Sequence, residues 1–478
     1  MITPGKVVGL GTLVTLPRLV TPASHFARTI ILARMLSPRD LGIAIAVTVL
    51  LSTAELISDF GLDRYLISRP PAEDAPALAV AHCLQLIRGL ALALIILVSA
   101  PLIAELFGEP GIGGEFRWCA LILLVRDAAH LEIRQIQRDF RYTPEAMVIM
   151  LARGAALLAV YPAASALGDA RAMIAILFVD AIVYAAASHI AAKRRYRIGT
   201  GDRRIWHEAL AFSLPLTLNG IGLAASSQLD RALVSHWFGV ATLALYSLVL
   251  NLAVVPASII HSAFNLLSVS LLAQASPAVG IAKVRYDAIN WGHAVAALAY
   301  AIGVASTLDL LVPQVFGTSY AVEPWAVILV SLIVLVRIIR GAPIALLLAM
   351  SQTRHLMIAN MVSIVGLLLA VALLPLRPQI ETMLFCVLVG DTMSYGFMLS
   401  IVRRMDRLGM PAADRPIWCA FALAIVSTTV LQIAVRDAVT WRLSVGGAAI
   451  LLVAGYAAFG FHRHFVKNGL LTAVGQHG

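Results

Sequence analysis

Eight arginines lie inside long apolar stretches of this 478-residue chain: Arg18, Arg28, Arg88, Arg126, Arg153, Arg231, Arg337 and Arg340. A guanidinium at the centre of a membrane-inserted helix costs about 2.5–3.5 kcal/mol, so such residues face a bundle interior or a watery cavity. Residues at i, i+3, i+4 and i+7 share a helical face, which puts Pro17, Thr21, Ser24, His25 and Arg28 on one stripe. Arg34 falls on another face near the helix end, where it can snorkel to the interface. Arg126, His130 and Arg134 recur every four residues, a cationic track that Arg138 and Arg141 continue into a basic loop. Arg337 and Arg340 are one turn apart.

Acids in these stretches are fewer, the clearest being Asp127, Glu132, Asp180, Asp230 and Asp391. Some of them must neutralise neighbouring arginines, and the cation left over calls for an anionic ligand. Guanidinium suits phosphate because its planar fork donates two parallel hydrogen bonds. The substrate-binding candidates are therefore His25, Arg28, Arg88, Arg126, His130, Arg134, Arg153, Arg231, Arg337 and Arg340. Asp127, Asp180, Asp230 and Asp391 are candidates for coupling to a proton or ion. The blander alternative for each arginine is an interhelical ion pair or a snorkelling side chain.

The elements that must hold these residues follow from hydropathy. The chain is 60% hydrophobic and 13% charged, with a mean hydropathy of +0.88, a balance that excludes an ordinary soluble globular protein. A helical span needs about 20 mostly apolar residues. Fourteen such stretches can be counted between residues 7 and 462, and the loops between them are short. The expectation is an all-α polytopic membrane protein. No loop is long enough to fold a soluble catalytic domain, and none is the sizeable periplasmic loop that a ligase, polymerase or polyprenyl-linked glycosyltransferase would use. The first stretch reads as a permanent span rather than a signal peptide.

Further chemistries find no support in the residues. Cys83, Cys119, Cys386 and Cys419 have unrelated spacings, which gives neither a metal cluster nor a disulfide framework. His462 and His464 in "HRH" read as an interface cluster rather than a metal site. No G-x-x-x-x-G-K-[ST] stretch occurs and the chain has only four lysines, so ATP is not the expected energy source. No cofactor is expected.

Lysine and arginine cluster in alternate connections, as in "RQIQRDFRY" (134–142), "KRRYRIGTGDRR" (193–204) and "RRMDRLGMPAADR" (403–415). By the positive-inside rule these loops and both termini are cytoplasmic. The net charge of +10 follows topology and has no compact basic domain, so nucleic acid is not an expected partner. Contact between "KRRYR" (193–197) and anionic lipid heads is a secondary expectation.

The chain also echoes itself. "ILARMLSPRDLGIAIAV" (31–47) and "LVSHWFGVATLALYSLV" (233–249) each close a long span, bend and re-enter with a small-residue-rich helix, and Arg28 and Arg231 precede the two bends at corresponding positions. Prolines lie upstream in both: Pro17 and Pro22 in the first, Pro215 in the second. The simplest arrangement is two pseudo-symmetric six-helix bundles, 1–203 and 204–405, followed by two helices and a cytoplasmic tail over 406–478. Repeats of this kind build transporters in which the halves rock around a shared site.

"RTIILARMLSPRDLGIAIAVTVLLSTAELISDFGLDRYLI" (28–67) resembles the first two helices of the polysaccharide-export flippases of the multidrug/oligosaccharidyl-lipid/polysaccharide (MOP) superfamily. Ala33, Arg34, Leu36, Pro38, Asp40 and Gly42 match its "ARxLxPxDxG" bend, and Ser58, Asp59, Gly61 and Leu62 its "SDxGL" ending. The similarity continues through 140–180 and 229–252 and covers most of 1–405. Ala244 stands where the family usually has Gly. "FAR" (26–28) is similar to the first helix of the murein lipid flippases, and this resemblance implies that Arg28 binds a lipid pyrophosphate.

The resemblance implies a MATE-like fold in the bacterial inner membrane and no enzymatic activity. It also implies translocation of an undecaprenyl-pyrophosphate-linked oligosaccharide for exopolysaccharide, capsule or O-antigen synthesis, by alternating access through an Arg-lined cavity. Membrane lipids and the polymerase of the same pathway are the implied partners. The alternative is a MATE-type drug or metabolite:cation antiporter of the same fold, whose cavity would be biased toward carboxylates.

Overall fold

The computed structural model describes residues 4–70, 73–199, 202–273, 279–404, 415–433 and 439–461. Every regular element among them is a helix. Two compact units divide the chain, 1–247 and 248–478. The first contains α1 (Pro4–Met35), α2 (Pro38–Ile57), α3 (Leu62–Ser68), α4 (Asp74–Leu106), α5 (Gly113–Asp127), α6 (Glu132–Gln135), α7 (Thr143–Leu158), α8 (Val160–Leu167), α9 (Arg171–Ala191), α10 (Arg203–Phe238) and the start of α11 (Val240–Ala273). The second continues α11 and adds α12 (Val279–Phe316), α13 (Pro324–Ile339), α14 (Gly341–Ala349), α15 (Thr353–Leu373), α16 (Ile380–Arg404), α17 (Arg415–Ile433) and α18 (Val439–Phe461).

Against the fourteen apolar stretches expected, ten spans among the described residues are long and apolar enough to cross a membrane. Large side chains such as Leu90, Leu94, Val98, Leu158 and Ile190 are exposed on the outside of these helices. That arrangement suits a lipid environment and would be costly in water. The chain is a multi-pass membrane protein.

Local chemistry explains both family-like motifs. In "MLSPRDLG", the Ser37 hydroxyl accepts from the backbone N–H of Asp40 at 3.1 Å, and Pro38 occupies the first helical position of α2, where its missing N–H costs nothing. Gly42 follows because α2 runs against the start of α11: a Cβ there would lie 1.8 Å from the carbonyl oxygen of Val240. In "SDFGL", Gly61 takes a left-handed φ of 57°, and its N–H donates to Asp59 Oδ1 at 3.0 Å. This turn breaks α2 from α3.

Within the first unit α2 packs on α10 and α5, α9 on α7 and α5, and α1 on α7. Within the second, α12 packs on α13, α17 and α18, and α15 on α16. Pro17, Pro22 and Pro215 all lie inside continuous helices.

Candidate functional site

The fourth apolar stretch departs from its expected form. The helical track through Arg126, His130 and Arg134 requires one helix over 115–138, but α5 stops at Asp127 and the chain turns before α6. A break exposes backbone groups that must find partners, and side chains from α4 and α9 supply them. Gln85 Nε2 donates to the carbonyls of Asp127 at 2.6 Å and Ala129 at 3.2 Å. The Ser188 hydroxyl accepts from the His130 N–H at 2.8 Å, His82 Nε2 accepts from the Leu131 N–H at 3.1 Å, and His189 Nε2 meets the Ala128 carbonyl at 2.9 Å.

The break makes room for a cavity of about 400 Å³. Arg88, Arg126, His130 and Arg134 all line it, so these four candidates do come together, by a turn rather than by a helical stripe. The cavity is not purely cationic, because Glu55, Asp59, Asp63 and Asp127 share the lining with the three arginines.

Each cavity arginine has a carboxylate. Arg88 pairs with Asp127 and also donates to the Ser58 carbonyl at 2.9 Å. Gly89 leaves space for that carboxylate, since a Cβ there would lie 2.6 Å from Asp127 Oδ2. Arg126 pairs with Glu55. Arg134 meets Glu145 at 3.4 Å and donates to the Tyr184 hydroxyl at 3.0 Å. Both ring nitrogens of His130 are engaged: Nδ1 accepts from the Glu132 N–H at 3.2 Å, so Nε2 carries the proton and donates to the Arg194 carbonyl at 3.0 Å.

Beside this cavity lies a second cluster, drawn from α1, α7 and α9. Arg153 pairs with Asp180 at 2.7 Å. Arg28, only 4% exposed, lies within electrostatic reach of Asp180 and Arg153. Among the described residues no carboxylate comes within the 4 Å of an ion pair to Arg28, and its buried Nε has no hydrogen-bond partner. His25, one turn earlier, is close to Arg28, Arg126 and Arg153, and its buried Nε2 is likewise unpartnered. The polar stripe of α1 thus holds an unneutralised guanidinium beside a neutralised one.

Arg231 on α10 repeats this condition. It donates to the Ser227 carbonyl and to Gln228 Oε1, both at 3.0 Å and both on its own helix, and no carboxylate lies within ion-pair distance among the described residues. Its neighbour Asp230 is buried and accepts from the Tyr246 hydroxyl at 2.9 Å. In the second unit Arg337 and Arg340 both bond Asp391, at 2.8 and 2.9 Å, one to each oxygen.

Six of the eight site arginines therefore have an acid, and the cation surplus expected from the sequence shrinks to Arg28, Arg231 and the second guanidinium on Asp391. The side chain of Arg18, and "HRH" (462–464), lie outside the described residues. Sequence reasoning missed Glu55, Gln85 and Tyr184. Glu55, Gln85 and Tyr184 were visible only as polar or ionisable residues in apolar stretches. Among the described residues no group of three or more His, Cys, Asp or Glu could hold a metal ion.

The family model for "Polysaccharide biosynthesis protein" matches residues 31–323, more than half of the chain. The chain belongs to this family. As a polysaccharide biosynthesis family member it also shares its fold with solved transporters of the MOP superfamily. It aligns with the lipid II flippase MurJ, in an inward closed conformation, at a TM-score of 0.72 and 10% identity, covering 96% of this chain and 100% of that one. An inward-facing multidrug resistance MATE transporter of the MOP superfamily aligns at a TM-score of 0.63 and 13% identity, covering 84% and 100%. A MOP superfamily transporter from Pyrococcus furiosus, described by the reverse polarity of its binding pocket, aligns at 0.53 and 13%, covering 85% and 96%. No curated protein matches the sequence. The family member thus has the fold of solved transporters and flippases.

Proposed function

We propose that this protein is a flippase for a polyprenyl-pyrophosphate-linked oligosaccharide in the bacterial inner membrane, feeding exopolysaccharide, capsule or O-antigen synthesis. The observation that carries the reading is that Arg28 and Arg231, the two arginines matched by the internal echo, are the two site arginines with no carboxylate at ion-pair distance among the described residues. A buried guanidinium without an acid is costly to keep, and it becomes favourable when a phosphate fills its open fork. The family match and the likeness to a lipid II flippase support the same substrate class.

In this reading both termini are cytoplasmic, fourteen spans form two six-helix bundles over 1–203 and 204–405 plus the helices of 406–478, and the bundles rock around the pyrophosphate. The track of Arg126, Arg134 and Arg138 draws the headgroup toward Arg28 while the polyprenyl chain stays in hydrocarbon. Asp127, Asp180 and Asp391 hold arginines in the absence of ligand, Asp230 is held by Tyr246, and protonation of one of the four provides release. The polymerase of the same pathway receives the product.

One observation favours the MATE-type antiporter: the first-unit cavity carries four carboxylates against three guanidiniums. A leaflet-accessibility assay separates the two. Both variants should insert normally, Arg28→Ala leaving lipid-linked sugar on the cytoplasmic face and Arg231→Ala slowing its translocation about ten-fold. Normal translocation by both variants, together with proton-driven uptake of an organic cation by proteoliposomes of the wild type, would assign the antiporter instead.

A further inference from the structure

A second cavity, of about 210 Å³, shares no lining residue with the first and is lined by Arg194, Arg195 and Arg197 on one side and by Ala75, Ala79 and His82 of α4 on the other. The arginines belong to a non-helical strap, 192–199, that joins the membrane-crossing helices α9 and α10. We propose that this cavity binds the phosphate of an anionic phospholipid, with the acyl chains lying along α4.

The strap is built to present its side chains. Its backbone is fastened inward: Glu132 accepts from the N–H groups of Lys193 and Arg194 at 2.8 and 2.7 Å, and the Gly199 N–H donates to the Ala79 carbonyl at 3.4 Å. Two histidines hold its carbonyls. Because the Leu131 N–H donates to His82 Nε2, the ring proton sits on Nδ1 and donates to the Arg197 carbonyl at 3.1 Å. His130 does the same for Arg194. Tyr196 turns in and stacks on His82, with 4.2 Å between ring centroids. Arg195 and Arg197, on either side of it, are exposed.

The charges are then sorted. Arg194 is shared between Asp74 at 3.4 Å and Glu132 at 3.9 Å. Arg195 and Arg197 have no carboxylate within ion-pair distance among the described residues. Two preorganised guanidiniums therefore face one small cavity, and the fold has already met the entropic cost of ordering their backbone.

The opposite wall names the ligand class. Ala79 starts a face of α4 that continues through Cys83, Ile87, Leu90 and Leu94 at i+4, i+8, i+11 and i+15. Ile87, Leu90 and Leu94 on it are 52%, 63% and 61% exposed. A cationic cavity at the head of an apolar, outward-facing stripe fits a molecule with a phosphate at one end and hydrocarbon at the other. Free phosphate would use only half of it.

The test is native mass spectrometry of the delipidated full-length protein titrated with phosphatidylglycerol, phosphatidylcholine or inorganic phosphate. Wild type should prefer phosphatidylglycerol over phosphatidylcholine, and millimolar inorganic phosphate should not displace it. Arg195→Gln combined with Arg197→Gln should weaken phosphatidylglycerol binding roughly thirty-fold, about five-fold per arginine. The Arg195→Lys, Arg197→Lys pair should restore most of it, since the charge is kept. Both side chains are exposed, so melting temperatures should match wild type. Wild-type phosphatidylglycerol affinity in the Gln pair, or displacement by inorganic phosphate alone, overturns the proposal. Neither arm uses the transported lipid, so the outcome stands apart from that of the flippase assay.

Discussion

The two units each contain a cluster of two guanidiniums and one carboxylate, wired differently. In the second unit Arg337 and Arg340 each take one oxygen of Asp391, at 2.8 and 2.9 Å. In the first, Arg153 bonds Asp180 at 2.7 Å while Arg28 bonds no carboxylate among the described residues. Geometry accounts for the contrast. Arg337 and Arg340 leave the end of α13 one turn apart, so both forks converge on one acid of α16. Arg28 and Arg153 come from α1 and α7, and Asp180 from α9, so three helices must agree before both arginines can bond. Equal stoichiometry therefore gives a closed ion-pair triad in one unit and an open donor in the other. A ligand phosphate displaces no bonded carboxylate at Arg28 and competes with a shared one at Arg337 and Arg340.

The largest expected effect tests that open donor. Arg28→Met should abolish translocation in the leaflet-accessibility assay while leaving thermal stability of the purified protein unchanged or raised, because it removes a buried cation that has no acid. Retained transport would break the comparison, since the open fork would then be no ligand group. Next comes Asp391→Asn. It strands two guanidiniums at once and should cost about 3–5 kcal/mol, the usual consequence of removing one partner from a buried pair, read as a fall in denaturation midpoint. Asp180→Asn removes one ion pair rather than two and should cost about half as much. Equal losses in the two variants would show that the triads are wired alike.

How much of this was legible beforehand differs between fold and site. The helices of the apolar stretches, the Ser37–Pro38 start of α2 and the Gly61 turn follow from local chemistry, because hydropathy, capping and left-handed backbone are properties of neighbouring residues. The break after Asp127 does not. "RDAAHLE" contains neither Pro nor Gly, and its backbone groups are satisfied by Gln85, His82, Ser188 and His189, which lie 42 to 61 residues away. The sequence puts Arg126, His130 and Arg134 on one helical track whose period the chain does not keep, and a turn brings them to one cavity instead. Pairing was the least legible, because Glu55 reaches Arg126 across 71 positions and nothing in either neighbourhood marks it as that residue's partner.

Arg231→Ala should have a smaller effect than Arg28→Met, about ten-fold in translocation, equivalent to one charge-assisted hydrogen bond. Arg231 is only half-buried and is already bonded at 3.0 Å to Ser227 and Gln228 of its own helix, so a ligand must exchange for those bonds. A loss as complete as that of Arg28→Met would make the two echo positions equivalent and remove the distinction drawn from burial.

The smallest expected effect converts a closed pair into an open one. Glu55 and Arg126 are 37% and 32% exposed, so solvent screens them and their pair contributes no more than about 1 kcal/mol. Glu55→Gln should therefore leave the melting temperature nearly unchanged while freeing the Arg126 fork inside the cavity. If an unneutralised guanidinium is what binds the pyrophosphate, this variant should hold lipid-linked sugar a few-fold more tightly in a direct binding measurement. A weaker hold would mean that the carboxylates orient the arginines for ligand as well as neutralising them, and that a closed pair is itself part of the binding surface.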